Sequence, residues 1–144
     1  MMDAHLDKQL VKDCPNLYRD RNADMSVTAM CWGFPETGWH DLIRKASVII
    51  EAEIMKLPEE ERIKYRATQV KEKFGTLRFY MSASTPEMDK AIDEAEYASA
   101  RTCETCGKKG NLMSSSGWVS CVCPEHGKNM KPLPTRETLD EKEA

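Results

Sequence analysis

Two short pairs of metal-seeking residues near the carboxyl end restrict this chain more than any other feature. They are Cys103-Glu104-Thr105-Cys106 and, after a stretch of sixteen residues, Cys123-Pro124-Glu125-His126. Two residues between ligands let the backbone wrap one side of an ion, and a Cys-x2-Cys facing a Cys-x2-His suits a tetrahedral site. The spacing predicts one structural Zn2+ held by Cys103, Cys106, Cys123 and His126. Cys121 lies two residues before Cys123, and either thiol is a candidate for the third ligand; the knuckle spacing favours Cys123. Gly107 and Gly110 follow the first pair where a tight turn needs glycine. Between the pairs, Asn111-Leu112-Met113 and Trp118-Val119-Ser120-Cys121 flank Ser114-Ser115-Ser116-Gly117, which reads as a hairpin around a Ser/Gly turn. Together these pieces outline a zinc ribbon over residues 101–131. Four protein ligands leave no open coordination position for water, so the expected role of the metal is to stabilise a segment too small to bury a core unaided. Segments below roughly 40 residues generally need such help.

Charge is spread unevenly. Residues 1–100 carry a net −4, residues 101–131 a net +3, and residues 132–144 a net −2, giving −3 over the 144 residues. Three thiolates on one Zn2+ would take the ribbon down by one more charge. That is only weakly basic, whereas binding driven by phosphate contacts needs a denser Lys/Arg patch. No apolar stretch is long enough for a membrane span, and no basic segment precedes an apolar one as in a signal peptide. The expectation is a cytoplasmic protein, its six cysteines reduced and in part metal-bound rather than paired as disulfides.

Along the first hundred residues the patterning changes three times. The first thirty are polar and loosely patterned, with Asp13-Cys14-Pro15-Asn16 reading as a turn, and Ala29-Met30-Cys31-Trp32 reads as a short buried strand. From Asp41, the residues Leu42, Ala46, Ile49, Ile50, Ile54 and Leu57 recur at helical spacing, with Arg44, Lys45, Glu51 and Glu53 on other faces, and Pro58 ends the helix. Thr68 to Ala83 alternates with a period of two, broken at Phe74-Gly75, which predicts a hairpin or one bent strand. A second helix starts clearly, with Thr85 as N-cap, Pro86 at the first position and acidic residues in the first turn; Met88, Ala91, Ile92, Ala95 and Ala98 make its apolar stripe. The fold expected is α+β: two main helices on a short sheet or hairpin over residues 1–100, the ribbon packed against it, and a disordered acidic tail over 132–144.

Three pieces of the chain resemble a family of small bacteriophage and prophage proteins. They are Cys31-Trp32-Gly33-Phe34 with Gly38-Trp39, the segment Gln69-Val70-Lys71-Glu72-Lys73-Phe74-Gly75-Thr76-Leu77-Arg78-Phe79-Tyr80, and Thr102 to Gly107 with Trp118 and the final Cys and His. The resemblance spans roughly residues 30 to 126 and is most specific in the Gln69 to Tyr80 block. It implies a phage-type origin and the zinc knuckle, and brings no reaction with it.

Candidate chemistry outside the knuckles divides into surfaces and catalytic constellations. Trp32, Phe34 and Trp39 surround two glycines, either as a recognition surface or as a staple onto the following helix. Arg78 and Tyr80 share one strand face and read as a contact surface or a solvated one. Glu87, Asp89, Asp93, Glu94 and Glu96 give the second helix an acidic face able to imitate nucleic acid on a basic partner. Cys31 and His40 lack an orienting carboxylate or amide at a recognisable spacing, which argues against a cysteine enzyme. An HNH-type nuclease needs histidines beyond the one that zinc takes, and a zinc deaminase needs a His-x-Glu before Pro-Cys-x2-Cys; neither pattern is present. A second metal site drawn from His5, Cys14, Cys31 and His40 is chemically conceivable but widely spaced.

The function expected from the sequence is therefore a non-enzymatic zinc-binding protein that works through a protein partner. With a phage-type origin, that partner is a host protein or complex, a defence assembly such as a CRISPR effector being one candidate. The alternative is a nucleic-acid-binding ribbon using Lys108, Lys109, Trp118, Lys128 and Lys131.

Overall fold

The computed structural model describes residues 1–133. Helix α1 (Ala4–Asp13) opens the chain, capped by Asp3, whose carboxylate accepts the His5 N–H. The sequence reading missed this helix because its polar and charged residues outnumber its apolar ones. Its signal was the thin series Leu6, Leu10, Cys14 and Leu17, three or four residues apart, and Leu10, Cys14, Leu17 and Tyr18 are all buried. The turn after α1 is pinned by Glu51, whose carboxylate accepts the backbone N–H groups of Asn16 and Leu17 at 3.0 and 2.9 Å and the Asn16 side-chain amide at 2.8 Å. Glu51 is buried, not solvated as the helical pattern suggested; its burial is tolerable because three donors meet it.

Ala29–Trp32 is a 3-10 turn capped by Thr28, and the strand expected there is absent. The run is too short and too closely followed by glycine and proline to extend, and only Met30 of the four is buried. A second 3-10 turn, Thr37–Trp39, leads into helix α2 (His40–Met55), one residue longer at its start than the pattern indicated. Ile43, Ala46, Ser47, Ile50 and Ile54 form its buried face. A single helical turn, α3 (Glu59–Arg62), follows Pro58.

Strands β1 (Ala67–Lys73) and β2 (Thr76–Met81) form an antiparallel hairpin, so the hairpin alternative holds. Phe74 and Gly75 take φ of 53° and 82°, the two left-handed residues of a tight turn whose twist matches the strands. That conformation turns Phe74 outward, breaking the alternation in which it seemed to continue Val70. Helix α4 (Pro86–Ser99) covers the outer edge of β2: Ser99 Oγ accepts the Leu77 N–H at 2.8 Å and Glu96 accepts the Phe79 N–H at 3.0 Å. An otherwise open edge is thereby satisfied by side chains. Helix α4 packs on α2, and their apolar stripes enclose the main core with Leu77, Phe79 and Val70 from the hairpin.

The remaining strands are β3 (Asn111–Ser115), β4 (Trp118–Val122) and β5 (Lys131–Pro132), in the antiparallel order β4-β3-β5. Ser116 and Gly117, both with positive φ, make the expected Ser/Gly turn. The fold is thus α+β, with four helices and two small antiparallel sheets among the described residues. Pro132, expected at the start of the tail, instead pairs with Met113 through β5. The rest of the expected tail, from residue 134, lies outside the described residues.

Candidate metal centre

The first knuckle follows directly from α4. Thr102 Oγ1 bonds the Ala98 carbonyl, and the chain then turns so that the Gly107 N–H reaches the Cys103 carbonyl at 2.9 Å. The second knuckle repeats the move after β4: the Gly127 N–H reaches the Cys123 carbonyl at 2.8 Å. Two like turns face each other. Gly107 needs its positive φ of 80° to close the first turn, and a side chain there would meet the Gly38 carbonyl.

Their ligand atoms converge. One atom from each of Cys103, Cys106, Cys123 and His126 lies within 4.8 Å of the others. Cys106 Sγ and Cys123 Sγ are 3.7 Å apart, and His126 Nδ1 stands 3.7 Å from Cys103 Sγ and 3.1 Å from Cys123 Sγ. A disulfide would bring sulfurs to about 2.05 Å. Metal–sulfur bonds of about 2.3 Å at tetrahedral angles place sulfurs about 3.8 Å apart. The geometry fits one ion held by all four residues. Among the described residues no other group of Cys, His, Asp or Glu converges in this way, and His5, Cys14, Cys31 and His40 are not brought together.

Local electrostatics favour the thiolate at Cys103 and Cys123 but not at Cys106, where the Lys108 backbone bond is outweighed by burial and the neighbouring cysteines and the thiol is raised. The backbone N–H of His126, with help from its imidazole and against some desolvation, holds the Cys123 thiol down to about 6. For Cys103, burial pushes upward but is outweighed by backbone hydrogen bonds from Cys106, Cys123 and Thr105, so the thiol lies below its ordinary value. His126 is raised chiefly by its bond to the Cys123 sulfur. A bound metal ion would replace the proton these atoms share, which is the usual coupling of metal affinity to pH.

Cys121 takes no part. It is fully buried in the main core on β4, opposite Leu112, and burial pushes its thiol up to about 11. The end of the strand separates the two thiols: Cys121 belongs to the ladder, while Cys123 lies just past its end in the turn. Cys123, not Cys121, joins Cys103, Cys106 and His126.

The knuckles are joined to the main core by backbone. Gly38 N–H donates to the Glu104 carbonyl at 2.9 Å, and a Cβ on Gly38 would lie 2.3 Å from the Cys103 carbonyl oxygen, so this contact requires glycine. Beside it, Trp39 Nε1 donates to the Thr102 carbonyl at 2.8 Å.

The surfaces singled out from sequence divide sharply. Trp39 and Phe34 are core residues, at 0% and 5% exposure, which corrects the recognition-surface reading for both; Trp39 is held by the hydrogen bond just described and Phe34 packs edge-on against Tyr18. Trp32 is exposed, as are Arg78 and Tyr80. Glu87, Asp89, Asp93 and Glu94 lie on the open face of α4, but Glu96 is half-buried and committed to β2. Lys108, Lys109, Lys128, Lys131 and Trp118 are all exposed on the metal module. No helix among the described residues is long and apolar enough to cross a membrane. No family model, curated protein or solved structure matches the chain, so the reading of the site rests on its own geometry.

Proposed function

We propose that the metal is zinc, that its role is structural, and that the protein acts by binding a protein partner without catalysing a reaction. The observation carrying this is the closed set of four donors, Cys103, Cys106, Cys123 and His126, around one ion-sized space. Three sulfurs and an imidazole at tetrahedral spacing match the preference of Zn2+, and a full set leaves no position for a substrate or an activated water. Cys31 and His40 support the same view: the Cys31 thiol is turned to the Thr28 carbonyl, and His40 Nδ1 lies against Asp41. In the setting implied by the phage resemblance, the partner is a host protein or complex, with a defence assembly among the candidates.

The nucleic-acid alternative draws on the exposed Lys108, Lys109, Lys128 and Lys131. It is weakened at Trp118, the residue available for base stacking, because Glu36, Glu72 and Glu104 line the same recess. Zinc per chain, measured by elemental analysis on protein purified without added metal, tests the metal; a value near one is expected, and Co2+ substitution should give thiolate charge-transfer bands. Absence of bound metal would overturn the proposal. Gel shifts at two salt concentrations test the alternative, since phosphate-driven binding falls steeply with salt.

A further inference from the structure

The open face of the β1–β2 hairpin carries an arrangement of charge that folding alone does not favour. Val70, Leu77 and Phe79 point into the core, so strand alternation sends Gln69, Lys71 and Lys73 of β1 and Thr76, Arg78 and Tyr80 of β2 to the other face. Lys71 stands directly opposite Arg78, and Lys73 lies diagonal to it. Like charges placed across from each other destabilise a strand pair. Among the described residues, none of these three cations has an ion-pair partner. The glutamates of the neighbourhood are committed elsewhere: Glu72, on the Leu77 side of the sheet, accepts the Gly75 N–H at 2.7 Å, and Glu96 accepts the Phe79 N–H. An anionic ligand relieves a repulsion that the chain itself leaves uncompensated. Two further features give that anion a chemical class. Exposed aromatic rings border the face, Tyr80 at 46% and Phe74 at 69%, with Lys73 Nζ 5.6 Å from the Phe74 ring centroid. Beside Tyr80 opens a cavity of about 430 Å³ lined by Asp20, Thr28, Arg66, Thr68 and Gln69, whose hydroxyls, carboxamide and Asp20–Arg66 pair supply both donors and acceptors. Free phosphate or an acidic peptide would engage the cations and leave the rings and the cavity idle. A single strand of nucleic acid engages all three, because its backbone is anionic, its unstacked bases have π-faces and their edges hydrogen-bond.

We propose that the open face of the hairpin binds single-stranded nucleic acid, with phosphates on Lys71, Lys73 and Arg78 and one base stacked on Tyr80 at the mouth of the cavity. This goes beyond the protein-binding reading and is independent of it. It also differs from the ribbon alternative, since it uses none of the lysines of the metal module.

The test is fluorescence anisotropy on the full-length protein, purified without chelator, with labelled oligo-dT and oligo-U of about twelve nucleotides, within the usual span of a single-strand site. Expected is saturable binding of one or both strands at low salt, their relative affinity telling DNA from RNA. Log K should fall against log salt with a slope of about −2, as three phosphate contacts on a single strand require. Tyr80→Ala should weaken binding about tenfold without changing that slope, and an abasic strand of the same length should lose a similar factor on the wild type. Lys71→Gln/Arg78→Gln should weaken binding at least tenfold at low salt and bring the slope to about −0.7. Its melting temperature should stay level or rise, because the like-charge pair is gone. Lys108→Gln/Lys109→Gln in the metal module should leave binding unchanged. Absence of saturable binding at low salt, a Tyr80→Ala variant that binds like the wild type, or equal loss in the metal-module variant would each overturn the proposal. Equal affinity for a capped oligo-glutamate of the same length would overturn it in favour of an acidic protein segment.

Discussion

Replacing Trp39 with alanine should unfold much of what holds the metal module to the rest of the protein. Trp39 has no exposed surface and is the largest side chain in the core. Truncating a buried tryptophan to alanine costs about 3–5 kcal/mol through lost contacts and the cavity left behind. The change also removes the 2.8 Å bond from Nε1 to the Thr102 carbonyl. Thr102 is only half-buried, so water can partly replace the donor and the added cost is about 1 kcal/mol. A loss of about 4–6 kcal/mol is comparable to the whole stability of a marginal domain, about 5–15 kcal/mol. With a urea m-value of about 2 kcal/mol per molar, the midpoint should fall by about 2–3 M. Far-UV circular dichroism under saturating zinc measures it, with Trp39→Phe expected to lose only about 1–2 kcal/mol because the ring volume is largely kept. Trp32→Ala, seven residues earlier and 63% exposed, should change stability by less than about 0.5 kcal/mol. If Trp39→Ala were as mild as Trp32→Ala, the assignment of Trp39 to the core would be refuted.

Exchanging the two neighbouring thiols should separate ligand from core: Cys123→Ser should abolish stoichiometric metal binding, whereas Cys121→Ala should retain it and lose about 1–2 kcal/mol of packing, both read by zinc content and urea titration. Chelation should raise amide exchange across residues 103–126 to near unprotected rates while α2 and the β1–β2 hairpin keep slow amides; uniform exchange, or none, would contradict a metal-dependent module joined to a self-supporting core. Cys14 should resist alkylation at mildly alkaline pH until the chain unfolds, because burial, aided by Glu51, pushes its thiol up to about 12 from 9.0. The sign for stability follows: the folded thiol keeps a proton that the unfolded one loses, so stability is full below pH 9 and declines as pH rises from 9 toward 12. Denaturation at several pH values should show that slope flattened in Cys14→Ala.

What the sequence revealed and concealed has a common physical basis. The knuckles, the α4 cap and both hairpin turns were readable because each is fixed by residues close in sequence: ligand spacing, Thr85-Pro86, and the Phe74-Gly75 and Ser116-Gly117 turns. Helix α1 was hidden because its stability comes from one sparse apolar stripe meeting α2 and from Glu51, thirty-five residues away from Asn16. Trp32 and Trp39 looked equivalent along the chain, and only the packing of Gly38 on Cys103 and Glu104 sends one inward and leaves the other outside. The acidic recess was invisible for the same reason. Its glutamates are scattered among ordinary charged positions at 36, 72 and 104, whereas the acidic face of α4 is contiguous in sequence.

That origin of the recess ties it to the metal. Glu36 is carried by the loop ending at Gly38 and Trp39, Glu104 lies between two cysteines of the candidate metal site, and Trp118 opens the strand leading to the second knuckle. Glu72 alone sits on an element whose position is set within the main core. The bond from Gly38 N–H to the Glu104 carbonyl holds the loop against the first knuckle. Removing the ion should therefore scatter three of the four walls even though none of them is a ligand. Zinc-free protein should lose amide protection at Gly38 and around residue 104 together, and readdition of Zn2+ should restore both. Slow amides at Gly38 and Glu104 that survived complete chelation would mean the recess forms without the knuckles, and the mechanical link drawn from Gly38 to Glu104 would fail.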